Sequence, residues 1–253
     1  MILLNKSDVL FLYKSRKAGL KALEKYSYLF PLHSSTALSG LIGDLFGDGH
    51  LQGNPKWRFD FTSNSVQELQ RFEKELYSVF VIKGSVRKCV TNKYSSTFNY
   101  GVNNKPIARI LFLCGSPIGN KVINKISIPR WILENKALFR RFIQRLLDCE
   151  GCVDVNNKYI ELNMSKSIDI LNNGFKFFND IKKALYRYFK IDTIKPFTTN
   201  RVKWRNDGIR TKEIKLKIKK RASVIKFYKY IGFENNIKQG KLIKVIEKLG
   251  KGR

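Results

Sequence analysis

What most constrains this chain is that it repeats itself. LIGDLFGDG, at residues 41–49, is an apolar run with helical spacing that ends on an acid between two glycines, and IQRLLDCEG, at 143–151, likewise ends on an acid followed by glycine. Asp48 and Glu150 are 102 positions apart. The same offset relates TSNSVQEL (62–69) to MSKSIDIL (164–171), aligning Ser63 with Ser165, Ser65 with Ser167 and Leu69 with Leu171. One offset shared by two separate features argues for duplication.

Both copies read in the same order, helix, strand, strand, helix, strand, strand, helix, as the periodicity switches between about 3.6 and 2. The expectation is therefore an α+β chain of two αββαββα repeats with antiparallel, saddle-shaped sheets. In the first copy, strands fall near 57–62, 86–91 and 97–102, with helices near 66–80 and 106–114. In the second, strands fall near 152–155, 159–164, 195–205 and 212–219, with helices near 168–189, 222–231 and 238–249. The connector GSPIGNKVINKISIPRW (115–131) carries turn-forming Gly and Pro. The expected parts are thus a basic helical extension at 1–33, a first repeat with its connector at 34–134 and a second repeat at 135–253. Within the extension, the amphipathic stretch 8–28 reads as a helical arm or as part of a helix-turn-helix.

Charge points to the partner. The 253 residues hold 49 Lys and Arg against 20 Asp and Glu, a formal charge of +29, spread along the whole chain. Self-repulsion of that size calls for a polyanion. No apolar run approaches the roughly 18 residues of a spanning helix. Asn5, Lys6 and Asp8 break up the apolar N-terminus, which argues against a signal peptide. An intracellular nucleic-acid binder with no membrane partner is the leading class, cytoplasmic in a microbe or mitochondrial or plastid in a eukaryote. Cys149 and Cys152 form the one CxxC, with no second pair and no suitably spaced histidines, so ordinary reduced, mostly buried thiols are expected.

Strand alternation adds a surface. KEIKLKIKK (212–220) sets Ile214, Leu216 and Ile218 against Lys215, Lys217 and Lys219. TNRVKWRN (199–206) sets Val202 and Trp204 against Arg201, Lys203 and Arg205. Arg58 and Asp60 oppose Trp57, Phe59 and Phe61, and Arg87 and Lys88 lie on the next strand of that copy. One face is expected to pack on helices. The other is expected to enter a DNA major groove, where Arg, Lys and Asp read base edges.

The two acids need a reason of their own. A carboxylate at a helix C-terminus faces the negative end of the helix dipole, at a cost of about 0.3–1 kcal/mol. Gly40, Gly43 and Gly47 leave one face of the first helix bare enough for a partner helix, and the helix before Glu150 is the candidate. Two adjacent carboxylates would repel unless a hard divalent ion such as Mg²⁺ sat between them, where it would serve phosphodiester hydrolysis.

With these residues in place the chain resembles the LAGLIDADG homing endonucleases in their single-chain, two-motif form. LIGDLFGDG matches at Leu41, Gly43, Asp48 and Gly49. IQRLLDCEG matches at Leu146, Asp148 and Gly151, with Glu150 in the place of the metal-binding acid. The resemblance covers about 36–249 and includes IPRWI (128–132) and YIGF (230–233). It implies a pseudo-twofold pair whose motif helices form the interface, each giving one acid to adjacent active sites. It further implies a monomer that cuts both strands of a long pseudo-palindromic DNA target, leaving short 3′ overhangs. Mg²⁺ is the implied ion, with Mn²⁺ or Ca²⁺ as substitutes, held at Asp48 and Glu150 with Gly47 and Cys149 beside them. Lys105 and Lys219, or its neighbour Lys220, are the implied assisting lysines. Such proteins promote insertion of the intron or intein that encodes them. Some act instead as maturases on host intron RNA, which is the alternative here, and a DNA-binding regulator without catalysis is a third reading. Two departures stand out: Asp44 replaces an apolar residue, and Arg145 takes a small-residue position, where it must turn aside or find an acid such as Asp44.

Overall fold

The computed structural model describes residues 1–89 and 97–250. The chain divides into two compact units, Met1–Gly119 and Asn120–Arg253.

The first unit opens with strand β1 (Ile2–Leu4), helices α1 (Lys6–Leu10) and α2 (Arg16–Leu23), a 3₁₀ turn (Glu24–Leu29) and strand β2 (Leu32–His33), which pairs back onto β1. The repeat proper follows: α3 (Thr36–Phe46), β3 (Gly49–Gln52), β4 (Arg58–Ser63), α4 (Val66–Phe80), β5 (Ser85–Lys88), β6 (Phe98–Val102) and α5 (Lys105–Leu113). Each main helix starts on a side-chain cap. Ser35 accepts the amide of Leu38, Ser65 that of Glu68, and Asn104 that of Ile107. The sheet runs β3-β4-β6-β5 and is antiparallel throughout. On α4, Leu69, Phe72, Leu76 and Phe80 form one buried stripe. Phe72 stacks on Phe61 of β4 at 4.8 Å and meets the edge of Tyr100 of β6 at 5.8 Å.

The second unit contains α6 (Arg130–Leu133), α7 (Lys136–Glu150), β7 (Gly151–Asp154), β8 (Tyr159–Ser167), α8 (Leu171–Phe189), β9 (Phe197–Thr198), β10 (Lys203–Trp204), β11 (Arg210–Ile218), α9 (Arg221–Tyr230) and α10 (Asn236–Gly250). Its sheet runs β10-β11-β8-β7, with β9 also paired to β11. Ile160, Leu162 and Met164 of β8 share the buried face with Ile214, Leu216 and Ile218 of β11. Phe177, Phe178, Ile181 and Leu185 of α8 belong to the same core.

Residues 1–33 belong to the first compact unit. Tyr28 Oη donates to the Phe80 carbonyl at 2.7 Å, Asn104 donates to Tyr26 Oη at 2.5 Å, and the Arg109 guanidinium lies between the rings of Tyr13 and Trp57. The strand expected at 195–205 is broken into two-residue pieces at the sheet edge. There Val202 and Trp204 face solvent, Trp204 being 71% exposed, so no helix covers them. The cysteines are less buried than expected: only Cys114 is buried, and burial pushes its thiol up to about 12, whereas Cys152 is exposed. Part of the strand expected near 86–91 lies outside the described residues.

Among the described residues no helix is long and apolar enough to cross a membrane.

Candidate functional site

In both units the acid sits where a buried helix turns directly into a strand. Every residue of α3 from Leu38 to Phe46 is buried, the Gly47 amide closes the helix onto the Gly43 carbonyl, and Asp48 emerges exposed. A Cβ on Gly49 would lie 2.9 Å from Leu45 Cα and 3.0 Å from the Asp44 carbonyl oxygen. In the second unit Glu150, half-exposed, is the last residue of α7. A Cβ on Gly151 would lie 2.5 Å from the Leu147 carbonyl oxygen. Only glycine lets the chain fold back this tightly over its own last turn, so the acid-glycine pair is a geometric unit: glycine permits the reversal and the acid is left on its outside.

Each acid opens onto the polar face of its own sheet. In the first unit the Asp48 carbonyl accepts the Thr62 amide at 3.4 Å, placing Asp48 in line with Thr62 and Asn99. Strand register then puts His50, Gln52, Arg58, Asp60, Asn99 and Arg87 on one face, opposite buried Phe59, Phe61 and Tyr100. A shallow groove on this face is lined by Arg58, Asp60, Ser85, Arg87 and Asn99. Arg58 is held toward Gln52, Nε to Oε1 2.6 Å. Lys88 does not join them. It pairs with Phe98, one residue on from Arg87 opposite Asn99, and so alternates to the other face.

The second unit's polar face is not the row of bare lysines the sequence suggested. Glu161, only 4% exposed, faces Lys217 across the β8–β11 ladder and binds Lys217 at 2.9 Å and Lys215 at 3.1 Å. Lys203 pairs with Glu213, which also lies 3.9 Å from Lys215. The charges show it. Burial works against the Lys217 ammonium, yet hydrogen bonds to Glu161 and Tyr159 outweigh it and hold its pKa above the ordinary lysine value. The hydrogen bond from Lys203 draws the Glu213 carboxyl below its own. Arg201 and Arg205 remain exposed on the edge segment.

The two lysines expected to assist, Lys105 and Lys219, lie away from the acids of their own units. Asp48 is in line with Asn99, near the start of β6, while Lys105 follows the far end of that strand. Lys219 follows Ile218, which shares a row with Ile160 and Val153, so it lies four rows beyond Glu150, or about 13 Å along the strands. Its neighbour Lys220 pairs with Asp192 at 3.2 Å. The lysine that does reach the end of α7 is Lys238, whose Nζ donates to the carbonyls of Leu147 (3.2 Å), Asp148 (2.5 Å) and Cys149 (3.1 Å). The carbonyl of Cys149 is thus already engaged. Lys238 stands in an amphipathic helix with no local mark to single it out.

Each departure has an acid or base partner within its own unit. Asp44, wholly buried, takes two parallel hydrogen bonds of 2.9 Å from Arg71. Arg145, also wholly buried, binds Asp148 at 2.6 Å and Glu234 at 3.3 Å. Among the described residues no group of three or more His, Cys, Asp and Glu side chains could hold a metal ion.

No family model matches the sequence. The replication factor C small subunit of Methanocaldococcus jannaschii is 29% identical over 161 residues, covering 58% of this chain and 9% of that protein. The glutamine–fructose-6-phosphate aminotransferase of the same organism is 24% identical over 221 residues, covering 87% of this chain and 18% of that protein. The chain therefore spans less than a fifth of either relative's length. Among solved structures, the homing endonuclease I-WcaI bound to its DNA recognition sequence is similar with a TM-score of 0.54 at 15% identity, covering 94% of this chain and 98% of that one. Full-length WhiA from Thermatoga maritima is similar with a TM-score of 0.50 at 16% identity, covering 85% and 60%. At these identities the likeness is one of fold: the chain has the mixed helix and antiparallel-sheet LAGLIDADG fold.

Proposed function

We propose that this protein is a site-specific, divalent-metal-dependent endonuclease that cuts both strands of duplex DNA and leaves short 3′ overhangs. One observation carries the reading: in each unit a buried helix delivers an acid, Asp48 or Glu150, through an acid-glycine step directly onto a strand of a sheet with a polar face. The fold shared with a homing endonuclease supports it. With both acids on one chain, the protein acts as a monomer.

The donors at these helix ends are oxygens, a set that suits Mg²⁺, which commonly binds one or two carboxylates and completes its shell with water and substrate phosphate. When bound, Mg²⁺ supplies Lewis-acid stabilisation of the scissile phosphate and an acidic water. In each unit the acid, Asp48 or Glu150, would hold such an ion, with the Gly47 carbonyl beside the first. Arg58, Asp60, Asn99 and Arg87 read base edges in the major groove, while exposed lysines and Arg201 and Arg205 bind phosphates and set the register.

The relatives support a mobile origin. Two proteins whose names have nothing in common each share a small fraction of their length with this chain. That pattern is expected of an intron- or intein-encoded segment carried between genes.

The test begins with a randomised duplex pool, from which sequences cut by the wild type in Mg²⁺ are selected. Wild type, Asp48→Asn and Glu150→Gln are then compared on the selected duplex. The expected result is a staggered double-strand cut by the wild type, with each variant losing the double-strand cut and nicking at most one strand while retaining binding in Ca²⁺. Cleavage that survives both substitutions would overturn the reading.

A further inference from the structure

Helix α7 ends badly by its own sequence. Its last turn carries Asp148 and Glu150 and no basic residue, so two carboxylates stand at the negative end of the helix dipole. The last carbonyls of any helix also lack helical donors. Left alone, such an end frays.

The compensation comes from a distant segment of the same unit. The buried Asp148 carboxylate accepts the Glu234 and Asn235 amides at 3.3 and 3.1 Å, besides its pair with Arg145. Asn235 in turn caps α10, taking the Lys238 amide on Oδ1 at 3.1 Å. From there the Lys238 side chain reaches back, and its three donors fall on the three carbonyls of residues 147, 148 and 149. One ammonium thus spans the last turn immediately before Glu150. An ammonium carries three donors, and three carbonyls are within reach to take them.

We infer that Lys238 is a positioning residue for Glu150: by clamping the last-turn carbonyls it fixes the helix end that carries the acid and offsets the dipole working against it. The inference rests on the endonuclease reading above. If each acid serves the cutting of one strand, loosening the clamp slows one strand and spares the other.

The full-length protein is compared with Lys238→Met, which keeps the stem and loses the charge, and Lys238→Arg, which restores a cation with several donors. Two readouts are taken. Amide hydrogen exchange over residues 147–152 reports the clamp without any need for activity. Cleavage of a supercoiled plasmid bearing the selected duplex separates nicked from linear product. Lys238→Met is expected to raise exchange in that segment about tenfold. It is also expected to accumulate nicked circles, with the second cut slowed about as much, while Lys238→Arg stays close to wild type. Unchanged exchange overturns the clamp. Raised exchange with both strands slowed equally, or neither slowed, overturns the positioning role. A wild type that cuts no duplex from the pool fails the endonuclease reading itself, and the positioning role falls with it even where exchange responds.

Discussion

Asp44 shows how one residue that breaks a pattern is accommodated. It replaces an apolar position in the first motif and is wholly buried, a placement tolerable for a carboxylate only with a close, well-aligned partner. Arg71 supplies a two-point contact from α4 and also binds Glu68 at 3.2 Å and Glu75 at 3.0 Å, so a single guanidinium serves three acids. Removing it leaves the buried carboxylate without its fork and two further acids nearby. Arg71→Met is therefore expected to destabilise the protein by about 3–5 kcal/mol in denaturant unfolding. Arg71→Lys should recover only part of that, because an ammonium cannot offer two parallel donors. A loss under about 1 kcal/mol for Arg71→Met would show that the fork does little for stability.

At the scale of elements, β8 makes the same point with a lysine. Lys166 lies on the buried face of that strand and donates to the carbonyls of Lys121 and Asn124, tying the start of the second unit to its sheet. Burial, helped by the charge of Lys121, pulls its pKa down from 10.5 to about 8. A lysine whose folded value lies below its unfolded one binds fewer protons when folded, so its protonation opposes folding below pH 8, and that opposition fades as pH rises to 10.5. The stability difference between wild type and Lys166→Met should accordingly shift in favour of the wild type across pH 8 to 10.5, by up to about 1.4 kcal/mol per pH unit, in urea unfolding at a series of pH values. A difference that stays flat over that window would mean Lys166 titrates as an ordinary surface lysine. Elements of this kind were legible in the sequence only in part. Local periodicity marks α4, α8 and β11 closely, and the acid-glycine pairs mark the helix ends. Ion pairing is not local. That Glu161 neutralises Lys215 and Lys217, or that Lys238 caps α7, depends on register and docking between segments far apart in sequence. The 199–206 stretch alternates well, yet alternation cannot tell a central strand from an edge fragment, so Trp204 was expected to be covered and is exposed.

For the molecule as a whole, the question is what a charge of +29 does once several acids are committed to internal pairs. Asp44, Asp148, Glu161 and Glu213 each neutralise basic groups within their own units, so the remaining lysines and arginines act on what lies outside. Two opposite responses to salt follow. In the free protein these charges repel, and screening them should raise the unfolding temperature as salt increases from 50 to 200 mM. On the endonuclease reading the same groups would gain affinity for DNA by releasing counterions from phosphates, and the same salt should weaken binding. A footprint of about six to ten phosphates loses roughly 10³- to 10⁵-fold over that range. Thermal unfolding with and without the selected duplex, at both salt concentrations, measures both in one experiment. The stabilisation given by DNA should shrink as the stability of the free protein grows. If salt instead lowered the stability of the free protein, the internal pairs would outweigh the repulsion between the remaining charges. If DNA affinity were insensitive to salt, the basic surface would not be a phosphate-binding one, and the polyanion reading of this composition would fail.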